Sequence, residues 1–223
     1  MERTLDPVNQ VVLDVRDAVG VARLGLMNNQ VWSDDPKRLV FTLSRYKFVS
    51  KMLSGRSAVL EIGCGDAFCS RLVKQEVGAL TVTDSDPVFI RDIEERLDAR
   101  WPMRALVHDI LRAPVPGVFD AAYSLDVLEH IPAEHEDRFL ENAKLSLTPH
   151  GVLVIGMPSL ESQAHASAPS RAGHVNCKTG EALRALMQKH FHNVFMFSMN
   201  DEVIHTGFFK MAHYLLAVCA AKK

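Results

Sequence analysis

An acidic residue and two glycines follow directly on a short apolar segment, in the run EIGCG of residues 61–65. Glycine lets the backbone turn tightly and approach a ligand closely. Phe68 stands where a dinucleotide-binding GxGxxG run needs its third glycine. Because a carboxylate at Glu61 favours a cation, the run suits a ligand that carries an ammonium or sulfonium group and no phosphate.

Two further carboxylates stand at the ends of the next two apolar segments. Asp84 lies about 20 residues after the glycine turn, where a carboxylate can accept hydrogen bonds from both hydroxyls of a ribose. Asp109 precedes Ile110 and could accept a hydrogen bond from an adenine amino group. Helix capping is the alternative for any one of these residues. Three acidic residues in order predict one wall of a single pocket.

Short apolar segments alternate with helical ones from residue 57 onward. The predicted strands are 57–63, 79–86, 103–110, 119–126 and 151–159, with helical stretches near 67–76, 87–99 and 134–147. Continuous apolar strands separated by helices indicate a parallel sheet covered on both faces. A helix over 178–191 precedes two further strands, 193–201 and 211–223, which we expect to form an antiparallel hairpin.

Residues 1–55 differ from the rest because their apolar spacing is helical. Asp35 and Pro36 predict the start of an amphipathic helix that ends near Gly55. We therefore expect an N-terminal helical lid over 1–55 and a ligand-binding domain over 56–223. Arg38 and Arg45 are seven residues apart and share one helix face, which could clamp a carboxylate or phosphate.

The segments VLEIGCGDA, TVTDSDP, VHDI, FDAAYSLDVLEHI and LTPHGVLVIGMPS resemble consecutive motifs of the class I S-adenosylmethionine-dependent methyltransferases over residues 57–160. The resemblance implies an enzyme with a doubly wound, seven-stranded, mostly parallel α/β sheet, Rossmann-like, with a reversed last strand. It implies S-adenosylmethionine as cofactor and S-adenosylhomocysteine as product. It also implies a set of cofactor contacts, from the methionine end to the adenine and the ligand's amino group: Glu61, Gly63, Cys64, Gly65, Asp84, Ser85, Asp109, Ile110, Ser124 and Leu125.

The segment VLEHI of residues 127–131 most resembles small-molecule methyltransferases and favours oxygen or carbon as the methyl acceptor. His130 lies at the ligand end of the predicted sheet. For an alcohol or phenol acceptor a general base helps to remove the proton, and histidine titrates near neutral pH. The alternative is that His130 lies beside the methionine moiety or caps a turn.

The long loop over 160–177 follows the fifth predicted strand and is expected to shape the acceptor pocket. It carries His165 and His174, and His174 with Arg171 could meet an anionic or hydroxylated substrate; His174 is the second candidate base. His205 is a further candidate substrate contact, with a turn residue before a glycine as the alternative. No further ligands are apparent around Asp126, so we expect no metal site.

The composition limits the classes of partner. The 223 residues carry 25 Lys and Arg against 27 Asp and Glu, a formal net charge of −2, which argues against a nucleic-acid partner. No stretch approaches the ~20 apolar residues needed to span a bilayer. The four cysteines form no CxxC pair and no signal peptide is apparent, so we expect a cytoplasmic protein, either monomer or homodimer, with a small-molecule acceptor.

Two other functions remain open from the sequence. One is a nicotinamide-dependent oxidoreductase on a related sheet, against which Phe68 and Glu61 both count. The other is a non-catalytic relative that binds the cofactor and serves as a scaffold or regulator, because methyl transfer requires no obligatory catalytic residue.

Overall fold

A computed structural model describes residues 2–223 of the chain. Its helices are α1 (Gln10–Val19), α2 (Leu26–Asp34), α3 (Lys37–Met52), α4 (Arg71–Lys74), α5 (Pro87–Arg96), α6 (Glu136–Leu145), α7 (Ala168–Gly173) and α8 (Gly180–His190). Its strands are β1 (Ala58–Ile62), β2 (Ala79–Asp84), β3 (Arg104–Val107), β4 (Phe119–Leu125), β5 (Leu147–Pro158), β6 (Phe191–Asn200), β7 (Val203–His205) and β8 (Tyr214–Lys222). Among these residues, no helix combines the length and the apolar character that a membrane crossing requires.

All strands join one sheet in the order β3-β2-β1-β4-β5-β8-β6-β7. Strands β1 to β5 pair in parallel, and β8 lies antiparallel between β5 and β6. The predicted mostly parallel sheet with a reversed last strand is confirmed, as is the C-terminal antiparallel pairing of β6 with β8. The sheet has eight strands rather than seven, because three residues after a tight turn at Asp201 (φ +48°) pair with the end of β6. A segment this short has no recognisable strand alternation.

Two helices differ from their sequence prediction. Helix α4 has four residues where the pattern predicts a helix over 67–76, because the chain still turns at Ala67, whose φ is +50°. Helix α2 is not predicted by the sequence, since its apolar residues form no continuous stripe. Its N-terminus is instead stabilised by Asp66, whose Oδ2 accepts the backbone N–H of Asn28 at 2.7 Å.

The sheet is covered on both faces, as alternation along its strands requires. Leu60 and Ile62 of β1 pack into one apolar cluster with residues of α6 and α8. Val59 packs into a second cluster on the other face, together with residues of α3, α4 and α5. Helix α3 therefore shares the core of the sheet, whereas α1 and α2 contain no buried residue. The division of the chain at residue 55 stays a prediction.

A buried carboxylate joins α3 to the sheet. Glu61 is 1% exposed, and its two oxygens accept hydrogen bonds from Tyr46 Oη at 2.7 Å and Tyr123 Oη at 2.6 Å. Burial raises the pKa of the Glu61 carboxyl from 4.5 to about 7, although the hydrogen bonds from Tyr123 and Tyr46 act in the opposite direction. The strand that leads into the glycine turn is thus held from both sides by tyrosine hydroxyls.

Glu61→Gln should reduce the pH dependence of stability. The folded state holds the Glu61 proton more tightly than the unfolded chain, so the free energy of unfolding falls as the pH rises from 4.5 to about 7 and levels off above that. At roughly 1.4 kcal/mol per pH unit, this contribution is at most about 3.5 kcal/mol. Urea unfolding at pH 5 and pH 8 measures the free energy of unfolding of the wild type and the variant. The same change in this free energy between the two pH values in both proteins would contradict the prediction.

Asp66→Ala should loosen α2 without disturbing the sheet. The Asp66 carboxylate also accepts a hydrogen bond from Asn28 Nδ2 at 2.7 Å, so the variant loses the N-terminal partner of this helix. We expect the opening free energy of α2 to fall by about 2 kcal/mol, which corresponds to roughly 30-fold faster amide exchange. Hydrogen exchange over 26–34 tests this, with Asp34→Ala, an exposed carboxylate of the same helix, as the control. Unchanged exchange in Asp66→Ala would refute the coupling.

Candidate cofactor and acceptor site

The glycine turn follows β1 at the carboxyl edge of the sheet. Gly63 and Gly65 have φ values of +74° and +53°, in the left-handed region that favours glycine. A Cβ at Gly63 would overlap the side chain of Val127, and one at Gly65 would overlap Met27 of α2. Both positions therefore need glycine, and α2 lies directly against the turn.

Asp84 ends β2 beside the turn. Its Oδ2 accepts the N–H of Gly65 at 2.9 Å and its Oδ1 accepts the N–H of Asp86 at 2.9 Å. A carboxylate has about four acceptor positions, so roughly two remain for a ligand. The side chain is half-buried at the sheet edge, next to the exposed Ser85.

The other strand-end residues have distinct surroundings. Asp109 is half-buried; it accepts the N–H of Leu111 at 2.9 Å and forms an ion pair with Arg112 at 3.2 Å. Ile110 is buried in the core. Ser124 is also buried, and its Oγ donates to the carbonyl of Ile62 at 2.8 Å, which ties β4 to β1. The Ser124 side chain is thus used within the sheet.

Predicted residues for the cofactor and the acceptor share one cavity of about 350 Å³ at the carboxyl edge. Of the predicted cofactor contacts, it is lined by Gly63, Cys64, Gly65 and Leu125. Of the predicted catalytic and substrate contacts, it is lined by Arg38, Arg45, His130 and His174. The other predicted cofactor contacts do not line this cavity: Glu61, Asp84, Ser85, Asp109, Ile110 and Ser124.

Of the two predicted substrate-binding arginines of α3, Arg45 is held by an ion pair and, among the described residues, Arg38 is not. Arg45 Nη1 lies 3.0 and 2.9 Å from the two carboxylate oxygens of Asp126, and its guanidinium lies 3.8 Å from the centre of the Tyr214 ring. Arg45 is therefore held in place. Arg38 is exposed and has no ion-pair partner within residues 2–223, so it is free to meet an anionic group.

His130 and His174 both use Nδ1 in a hydrogen bond and leave Nε2 unbonded among the described residues. His130 Nδ1 lies 2.9 Å from the carbonyl oxygen of Gly173, and His174 Nδ1 lies 2.9 Å from Gln163 Oε1. Because both oxygens can only accept, each Nδ1 carries the proton, which leaves a lone pair on Nε2 of the neutral ring. The rings are 5.1 Å apart, and burial together with His130 lowers the pKa of His174.

Three predicted substrate contacts lie outside the cavity. His165 is exposed after a short 3-10 turn, and the Arg171 guanidinium donates to the carbonyl of Ala166. His205 lies on β7, where its Nε2 is 2.9 Å from Asn200 Oδ1 and its Nδ1 accepts the N–H of Gly207. Both ring nitrogens of His205 thus form hydrogen bonds with nearby residues of the chain. This arrangement agrees with the alternative that His205 is a turn residue before a glycine.

Glu129 directly precedes His130, and its role is not predicted by the sequence. Its side chain is 0% exposed, lines the cavity, and neither carboxylate oxygen has a hydrogen-bond partner within residues 2–223. Burial and the nearby Asp126 raise the pKa of Glu129 well above its ordinary value. The sequence signal that could have identified Glu129 is its position: an acidic residue in the short segment that follows β4 at the carboxyl edge of the sheet.

A protein-family model described as a methyltransferase domain matches residues 59–151. An uncharacterized methyltransferase of Mycobacterium tuberculosis is 33% identical over 104 residues, which is 45% of this chain and 50% of the relative. The chain thus spans about half the length of the curated relatives it matches.

Two solved structures have a similar fold. The N-methyltransferase NodS from Bradyrhizobium japonicum, in complex with S-adenosylhomocysteine, has a TM-score of 0.60 and 22% identity over 85% of this chain and 90% of NodS. The plantazolicin methyltransferase BpumL, in complex with a monoazolic desmethyl analogue and S-adenosylhomocysteine, has a TM-score of 0.63 and 13% identity over 87% and 93% of the two chains. Residues 59–151 therefore match a methyltransferase-domain model, and the chain has the fold of known methyltransferases.

Proposed function

We propose that this protein transfers the methyl group of S-adenosylmethionine to a small molecule, at an oxygen or carbon atom and most readily at a hydroxyl. The observation that carries this proposal is the shared cavity, which the glycine turn, His130 and His174 all line. The free thiols of all four cysteines support the expected cytoplasmic location.

The residues at the sheet edge fit the cofactor. The positive-φ glycines allow close approach of the methionine end, the spare acceptor positions of Asp84 suit the ribose hydroxyls, and Asp109 is available for the adenine. When bound, the cofactor supplies a methyl group already activated by its sulfonium. The protein then has to align the acceptor opposite the sulfur, and such positioning can supply roughly 7–11 kcal/mol.

The acceptor side favours a small hydroxylated compound. A cavity of about 350 Å³ bounded by α2, α3 and α7 is the size of a small-molecule site. Arg38 at its rim suits a carboxylate or phosphate on the acceptor. The unbonded Nε2 atoms of His130 and His174 suit removal of a hydroxyl proton. NodS is an N-methyltransferase, and its similarity supports the fold but not the acceptor atom.

Asp84→Asn should weaken cofactor binding. Loss of a charged acceptor for the ribose hydroxyls is expected to lower the affinity for S-adenosylhomocysteine at least tenfold, since a hydrogen bond to a charged group contributes about 1.5–3 kcal/mol. Isothermal titration calorimetry measures the change. Asp86→Asn is the matched control, because Asp86 caps α5 through the N–H of Val88 and has no assigned ligand contact. Equal affinities of the two variants for S-adenosylhomocysteine would contradict the assignment of Asp84 as a cofactor contact.

His174→Gln should reduce turnover far more than cofactor affinity. Loss of the Nε2 lone pair is expected to lower kcat by about 10²-fold or more, whereas the dissociation constant for S-adenosylhomocysteine stays within about twofold. The acceptor would first be found by incubating the protein with labelled cofactor and a metabolite extract. His150→Gln, an exposed histidine near the start of β5, is the control. Tight cofactor binding with no labelled product from any extract would instead support a non-catalytic scaffold.

A further inference from the structure

Three potential metal ligands converge beside the acceptor cavity. Glu129 and His130 lie in the 3-10 turn after β4, and His174 follows α7, 44 residues later in the chain. One ligand atom from each side chain lies within 4.8 Å of the others. A carboxylate oxygen and two imidazole nitrogens at this separation can reach a single ion.

Both histidines are already oriented as metal ligands usually are. Each Nδ1–H donates to a fixed oxygen, the carbonyl of Gly173 or the side chain of Gln163, so Nε2 is the free nitrogen. The Gln163 amide is held in turn, because its Nε2 donates to the carbonyl of Ser159 at 3.2 Å. Such hydrogen bonds fix the tautomer and ring orientation of metal-binding histidines.

Glu129 is the observation that points to a ligand. Its buried carboxylate faces the cavity without a hydrogen-bond donor among residues 2–223, and an unpaired buried carboxylate is costly. Arg45, the cation that acts on Glu129, is engaged by Asp126, a second carboxylate at the cavity. Glu129 and Asp126 thus share one guanidinium, and a cation bound at Glu129 would supply the missing partner.

The backbone holds the ligands together. The carbonyl of Glu129 accepts the N–H of Val175 at 2.8 Å and the N–H of Asn176 at 3.0 Å. These bonds join the segment that carries His174 to the turn that carries Glu129 and His130. The arrangement is thus set by hydrogen bonds in the fold, before any ion binds.

We propose that Glu129, His130 and His174 bind one divalent transition-metal ion. Two imidazoles and one carboxylate suit Zn²⁺, Co²⁺, Fe²⁺ or Mn²⁺ better than Mg²⁺ or Ca²⁺, which prefer oxygen ligands alone. Three protein ligands leave coordination positions open, as catalytic metal sites require. His130 is exposed, so the ion has an entry path. The sequence predicts no metal site, because His174 lies 44 residues after His130 and only the fold brings it beside Glu129.

The ion would also assist the proposed methyl transfer. This role of the ion rests on the proposed function. An acceptor hydroxyl bound to the ion would have a lower pKa, so its proton passes to solvent near neutral pH. The acceptor oxygen then forms the new bond to the methyl carbon, and the methyl–sulfur bond breaks with its electron pair remaining on sulfur. His130 and His174 then act as ligands rather than as the proton acceptors.

Titration of the metal-free, full-length protein with Co²⁺ tests the site. We expect one equivalent to bind with visible d–d absorption, and Glu129→Gln, His130→Gln and His174→Gln each to weaken binding at least tenfold. His150→Gln should bind Co²⁺ as the wild type does. Circular dichroism and S-adenosylhomocysteine titration check that each variant is folded. Paramagnetic broadening of the His130 and His174 imidazole signals by Co²⁺ in the wild type provides a measurement that needs no variant.

Two results would overturn the site: no stoichiometric Co²⁺ binding by the wild type, or binding that is unchanged in all three ligand variants. Failure of the proposed function is measured separately. A protein that binds Co²⁺ through these residues but not S-adenosylhomocysteine would retain the metal site and lose the proposed function. A protein that binds S-adenosylhomocysteine but not Co²⁺ would lose the metal site alone.

Discussion

Two adjacent residues of α3 carry the interactions on which the site depends. Tyr46 donates to the buried Glu61, and Arg45 pairs with Asp126, so one turn of this helix is joined to β1 and to the end of β4. Tyr123 completes the arrangement from within the sheet. Displacement of α3 would leave a buried carboxylate and a guanidinium without partners, which costs several kcal/mol. The position of α3, and with it the wall of the cavity that α3 forms, is therefore closely determined.

The remaining parts of the site are attached to this frame by hydrogen bonds from outside their own element. Asp66 in the glycine turn supplies the N-terminal partner of α2, and the carbonyl of Glu129 holds the segment after α7. Helix α2 and the segment after α7 are thus both anchored at the carboxyl edge of the sheet. A change in the glycine turn should consequently displace α2, and a change in the turn after β4 should displace the segment after α7.

The elements that could be predicted are those whose signals are local. The apolar strands, the positive-φ glycines and the carboxylates at the strand ends follow from short patterns, and the sheet confirms the strands and their direction. Helix α2 and strand β7 could not be predicted in this way. The partner that stabilises α2 is Asp66, 38 residues from Asn28, and β7 exists only because β6 offers an edge beside a tight turn.

The sequence by itself determined the type of sheet, the glycine turn and the edge at which the candidate site lies, because periodicity and glycine conformation are properties of a few neighbouring residues. Only the tertiary structure decided how individual side chains are used. Glu61 turned inward to two tyrosines, and His174 came to lie beside Glu129 and His130. The reason is that the separation of side chains distant in the chain is set by the packing of helices and turns on the sheet, which no local pattern encodes.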